Sequence, residues 1–292
     1  MDLQYFFQSL AGGLLIGGVY ALVAIGLNLI IGVMGLVSWV HGSFLVVGMY
    51  VSYYLFSLLG VDPYISTIFS GCFLFILGFM TQKFFITPVI NAPHSSILLL
   101  TLGLSILLDN LLALLFGYDY RMIRVSYGDK TLMFASLILS IPRLVAFGFS
   151  FIGTFLLFFL LKKTKTGKAI RAVASQKEGA MLVGINVTKI YLITFGLGSA
   201  IAGIGGSLIL PFYSVSPYAG IGFIIYAFII MVLGGMGNLM GSLLGGLIIG
   251  GCEGIASIYI GPQFRQLVSY LIFVIILLFK PAGLLGVKLE GE

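Results

Sequence analysis

The sequence predicts an all-α fold, a polytopic membrane helix bundle with a short cytoplasmic loop of two helices. Three observations carry that expectation. Of the 292 residues, 60% are hydrophobic and only 8% are charged, whereas a soluble domain carries roughly 25% charge. The apolar runs are each about as long as the ~20 residues a helix needs to cross a bilayer. One long polar interruption, Lys162 to Lys189, is strongly basic. Backbone groups in lipid must bond within their own segment, which favours helices. The runs do not alternate as β-barrel strands would.

Nine spans are expected, near 9–31, 36–57, 64–82, 95–116, 143–161, 190–211, 221–236, 240–259 and 265–280, within a range of eight to ten. The run 221–236 is short and ends in Gly234-Gly235-Met236-Gly237-Asn238, so a broken or re-entrant helix is the alternative to a full crossing. Met1-Asp2-Leu3-Gln4-Tyr5-Phe6 lacks the positive charge of a cleavable signal, and the first run is expected to be a retained span. The runs cover nearly all of 1–292, which gives one integral domain. Cys72 and Cys252 lie inside apolar runs with no metal-ligand or disulfide spacing.

The net charge of +6 gathers beside the spans, so it speaks of orientation rather than nucleic acid. Lys162, Lys163, Lys165, Lys168, Arg171, Lys177 and Lys189 against Glu178 make 162–189 cytoplasmic. Lys83, Lys280 and Lys288 then fall inside as well, giving ten basic residues inside and five outside. The N-terminus and the mixed-charge loop 117–136 fall outside. Tyr53, Tyr54, Tyr118, Tyr120, Tyr213 and Tyr218 lie at predicted outer ends, where amphipathic rings suit the headgroup layer.

Within 162–189, Thr164 opens a short helix with Ala169, Ile170 and Val173 on one side. Ser175-Gln-Lys-Glu178 fits a capping box for a second helix through Met181 and Leu182, which Gly184 stops. Such helices either dock into a partner or lie on anionic membrane lipid.

Gly167-Lys-Ala-Ile-Arg-Ala-Val-Ala and Ala180-Met-Leu-Val-Gly184-Ile185-Asn186 resemble the coupling loop of branched-chain amino acid ABC transporter permeases. Gly18-Val-Tyr-Ala-Leu, Gly26-Leu-Asn-Leu-Ile-Ile-Gly32 and His41-Gly42-Ser43-Phe44 are similar to the family's first two spans. Val232-Leu-Gly-Gly-Met-Gly-Asn238 through Glu253, and Phe279-Lys-Pro-Ala-Gly-Leu-Leu-Gly286, resemble its glycine-rich and C-terminal segments. The resemblance runs in order along most of the chain and is closer to the shorter permease type. Ser43 departs from it, since many members carry an acidic residue after His-Gly.

The resemblance implies a second homologous permease subunit, two ABC ATPase subunits and an extracytoplasmic solute-binding protein. It assigns Lys168, Arg171, Val173, Ser175, Glu178, Leu182 and Gly184 to ATPase coupling. Thr166-Gly167-Lys168-Ala169 lacks the upstream Gly and the following Ser/Thr of a phosphate loop. The chain is therefore expected to bind no cofactor, with ATP and Mg in the partner ATPases.

Asp109 and Glu253 sit inside predicted spans, where a charge costs about 2.5–3.5 kcal/mol. They either line a translocation path or bond between helices, and Asn110 beside Asp109 suggests a capped helix irregularity. Asn28 and His41 pose the same choice, with packing the expected role of His41. Gly237, Gly241 and Gly245, and Gly246, Gly250 and Gly254, recur every four residues and make smooth packing faces that let helices slide.

The expected function is import of a small solute by a permease subunit: branched-chain amino acids first, urea or short amides second. A proton-coupled carrier using Asp109 or Glu253 would instead work alone. No paired carboxylates, histidine cluster or activated nucleophile points to an enzyme.

Overall fold

The connections between helices shape this bundle as much as the helices do. The computed structural model describes residues 3–134, 137–280 and 282–286. Lys288 of the expected inner tail and Pro281 of the C-terminal segment lie outside them. In order the elements are α1 (Leu3–Met34), α2 (Val40–Leu59), α3 (Pro63–Thr81), α4 (His94–Phe116), β1 (Thr131–Phe134), β2 (Leu137–Ser140), α5 (Ile141–Lys163), α6 (Lys165–Ser175), α7 (Lys177–Leu182), α8 (Val187–Ile209), α9 (Gly220–Gly234), α10 (Leu239–Tyr259) and α11 (Arg265–Phe279).

Among the described residues, eight helical stretches are long and apolar enough to cross a bilayer, and α9 is the shorter apolar helix. Its 15 residues span about 22 Å, less than the ~30 Å hydrocarbon core. This explains why the run at 221–236 stood apart in the sequence.

Helix α1 is apolar all round, as a central helix must be. Val19, Ile25, Leu27 and Ile30 are fully buried, with α10, α8, α5 and α9 packed around it. Helix α2 is wedged among α8, α3 and α9, while α3 lies along α8. Helices α4 and α11 are peripheral. Ser269 is the buried residue of α11.

Two connections turn back into the bundle. After Met34, Gly35 takes a left-handed φ of +67° and residues 35–38 run without helix. Helix α2 then starts with His41 Nε2 3.1 Å from the Val23 carbonyl, eleven residues back along α1, or about 16 Å from its end. From the opposite face, α8 ends and residues 213–219 lead to α9. The first residue of α9, Gly220, lies backbone to backbone against Gly42 of α2. The two helix starts thus meet inside the protein from opposite sides, the arrangement that inverted repeats give to broken helices.

Opposite the basic loop, the 117–140 segment holds an antiparallel hairpin, Thr131 pairing with Ser140 and Phe134 with Leu137, which the expected loop did not include. Arg121 and Val215 exchange backbone bonds of 2.9 and 2.8 Å, pinning this segment to the connection before α9. Arg121 also donates to the Tyr54 hydroxyl at 2.8 Å. Tyr127 donates to Asp62 Oδ2 at 2.6 Å, and burial, followed by this carboxylate, pushes its own hydroxyl pKa up. Tyr118 stacks on Tyr218. The expected end-of-span tyrosines therefore build one face.

Candidate functional site

On the basic face, Thr164 Oγ1 accepts from Gly167 N at 2.9 Å and starts α6. Gly167 packs so tightly on Leu161 that a side chain would strike backbone, fixing α6 against the end of α5. Ile170 and Val173 turn into the bundle at 1% and 3% exposure. Lys168, Arg171, Ser175, Glu178, Leu182 and Gly184 are exposed. The capping box does not form. Ser175 is the last residue of α6, and Gln176 precedes α7 without a side-chain cap. Helix α6 simply runs one residue further than the S-x-x-E pattern assumed, through Ser175.

The stop at Gly184 does form. Its φ is +82°, its N–H donates to Met181 O at 3.0 Å, and Ile185 N–H donates to Ala180 O at 3.0 Å, a Schellman motif. The motif leaves Leu182 89% and Val183 76% exposed, an apolar tip amid lysines.

Within the bundle the two glycine ladders serve two different neighbours. Gly246, Gly250 and Gly254 meet Ala21, Gly17 and Gly13 of α1. Gly241 and Gly245 meet Gly234 and Ile230 of α9. A one-residue offset between the ladders turns the face by about 100°, so one helix can seat closely on two others. Gly237 is a turn residue with φ +79°, facing Gly32.

Asn28 clamps that turn. Its Nδ2, with two hydrogens, shares them among Gly235 O (3.1 Å), Asn238 O (3.0 Å) and Ser242 Oγ (2.7 Å), and its Oδ1 accepts from Gly237 N at 2.6 Å. Both polar atoms of Asn28 are engaged, and the residue is fully buried. Removing a buried partner costs about 1–3 kcal/mol. Asn28→Ala is expected to lower the melting temperature of the solubilised protein by several degrees, and an unshifted melting curve would remove this role.

The family described as the permease component of branched-chain amino acid transport systems matches residues 9–277. The high-affinity branched-chain amino acid transport system permease protein LivH of Escherichia coli is 30% identical over 97% of this chain and 96% of its own. BraD of Pseudomonas aeruginosa, of the same description, is 28% identical over 98% and 97%. The probable LivH of Methanocaldococcus jannaschii is 30% identical over 95% and 92%. The chain belongs to this permease family. No solved structure matches it.

The permease is thus a multi-pass membrane transport component, not a catalyst. Its sequence-predicted polar residues do not form one constellation. His41 is 1% exposed and sits at the closed meeting of α2 and α9. Asp109 is 4% exposed with its Oδ1 buried and without a partner, and Ser43 meets Ser105 Oγ at 2.8 Å. Asn110 donates to Ile106 O at 2.7 Å within an unbroken α4, so there is no irregularity for it to cap. Glu253 lies far from these. Its Oε1 accepts from Ser269 Oγ at 2.7 Å, and its Oε2 is 3.6 Å from Arg265. Sequence reasoning missed Arg265 as Glu253's counter-ion. The available signal was its opposite charge at the start of the next, antiparallel span.

Proposed function

We propose that this permease is one transmembrane subunit of an ATP-driven ABC importer that carries branched-chain amino acids, leucine, isoleucine and valine, into the cell. A second permease, two ATPases and an extracytoplasmic binding protein complete it, and ATP and Mg stay in the ATPases. Loop 162–189 and the C-terminus face the cytoplasm. Lipid surrounds the apolar outer faces of the bundle.

The observation that carries the coupling part is the tip of α7. Met181, Leu182 and Val183 are exposed and flanked by Lys168, Arg171 and Lys177, on a face that belongs to water if the basic loop is cytoplasmic. An apolar patch there calls for a partner surface, and a short helix seated in a groove is a recurrent way to supply one. Val173 acts differently. It anchors α6 to the bundle, so α6 and α7 move as one piece with α5 and α8.

The substrate class is supported by the names of the full-length relatives. Asp109, beside Ser43 and Ser105, is assigned to the path. Glu253 is assigned to it together with Arg265. Asn28 and His41 hold helices.

Reconstituted with its neighbouring-gene ATPases, second permease and binding protein, the chain is expected to accumulate labelled leucine only when ATP is supplied. Uptake by the chain alone, driven by a pH gradient, would instead establish a carrier.

A further inference from the structure

A cavity of about 280 Å³ opens on the face opposite the basic loop, between the connection before α9, α9 itself and the α10–α11 turn. That is room for about nine waters at liquid density, or one small solute. Its inner wall is aromatic. Tyr20 stacks on Tyr226 at 4.9 Å with the rings 12° from parallel, and Phe223 stands edge-on to Tyr20 and to Tyr213, with centroids 6.4 and 5.2 Å away. Gln263 and Arg265 line the rim.

Arg265 is under-used where it stands. Its contact with Glu253 is 3.6 Å, too long for a hydrogen bond, and its Nε is buried without a partner. Glu253, in contrast, is 1% exposed and already bonded to Ser269. The acid therefore steadies the guanidinium from behind while leaving its donors open. A guanidinium fork matches a carboxylate in a bidentate pair, the strongest of the charged hydrogen bonds. A buried guanidinium donor without a partner at a cavity rim calls for an explanation.

We propose that this cavity is a binding site for an α-amino acid within the single permease chain. Arg265 takes the carboxylate, and the aliphatic side chain lies against Tyr20, Phe223 and Tyr226. Glu253 is a positioning residue that orients Arg265. The proposal rests on the reading that the solute is a branched-chain amino acid, and it adds a place where that solute is held. The cavity is reached from the side on which a binding protein would deliver, and it reaches the stacked tyrosines beside the glycine seam of α1 and α10. A solute lodged here therefore bears on the contact that must shift for transport.

The test uses the assembled permease–ATPase complex in nanodiscs, without the binding protein, probed with labelled L-leucine and L-leucinamide, which keeps the side chain and loses the carboxylate charge. The wild type is expected to prefer leucine. Arg265→Gln is expected to weaken leucine binding by about tenfold or more and to bind the two probes alike, with Arg265→Lys between. Assembly is checked by co-purification of the ATPases. Phe223→Trp fills the cavity without touching Arg265, so it decides the matter if the arginine variants fail to assemble, and it too is expected to weaken leucine binding.

Unchanged leucine binding in Arg265→Gln or Phe223→Trp overturns the site. Another overturning result is an Arg265→Gln defect that appears only in discs containing anionic lipid, which would assign the arginine to a headgroup phosphate. If the wild type shows no ATP-driven leucine uptake with its binding protein, the functional reading fails rather than the site alone.

Discussion

Gly250→Leu is expected to abolish the folded permease, with no monodisperse peak on size exclusion and no uptake in cells. A Cβ at 250 would lie 2.5 Å from the Gly13 carbonyl oxygen and 2.7 Å from Gly17 N. These are backbone atoms of the central helix and have no rotamer to change. Leucine must therefore push α10 off α1, and that seam runs from Gly13 against Gly254 to Gly32 against Gly237. Overpacking a core costs about 1–3 kcal/mol when side chains yield. Here only backbone can yield, so the cost lies at or above that upper end, a large share of the 5–15 kcal/mol that domains typically possess. Gly12→Leu is the matched control, on α1 with nothing within 4 Å of its added Cβ. It is expected to be neutral or slightly stabilising, because a helical glycine costs roughly 0.5–1 kcal/mol. Equal behaviour of the two variants would refute the packing account.

Leu182→Asp should leave the bundle intact and disconnect it from its motor. The side chain is 89% exposed, so its loss removes almost no packing within the chain. In the proposed complex it is an apolar anchor, and anchors of that kind carry about 2 kcal/mol or more, near thirtyfold in affinity. Expected results are an unshifted melting curve, reduced recovery of the ATPases on purification, and ATP hydrolysis that no longer rises with loaded binding protein. Val173→Asp should do the reverse, damaging the fold itself, because Val173 is buried under α6. If Leu182→Asp copurifies and transports normally, the tip of α7 has no coupling role.

Composition and run length made the spans legible because bilayer thickness imposes a length on every crossing. The basic loop was legible because charge accumulates at one place. The glycine ladders were visible as spacing, although spacing alone does not say that one ladder faces α1 and the other α9. What stayed hidden depends on residues distant in the chain. Glu253 found Arg265 only once α10 and α11 were folded together, and Asn28 found the 235–242 turn more than two hundred residues away. The start of α2 opposite Val23 could not be read either, because 36–57 is apolar enough throughout to read as one span and hides the non-helical stretch after Gly35. The S-x-x-E pattern at 175–178 misled because a local motif competes with a helix already under way.

The inward stretch at 35–39 has a consequence for how the chain is made. Its backbone is supported by α4, where Thr101 Oγ1 accepts from Trp39 N at 3.4 Å, and α2 beyond it is enclosed by α8 and α9. These helices leave the ribosome later, whereas lipid tolerates no unbonded backbone in the meantime. The first hundred residues therefore cannot take their final path while they are being threaded into the membrane. They must wait near its surface or in the insertion machinery until the second half of the chain arrives and closes over them.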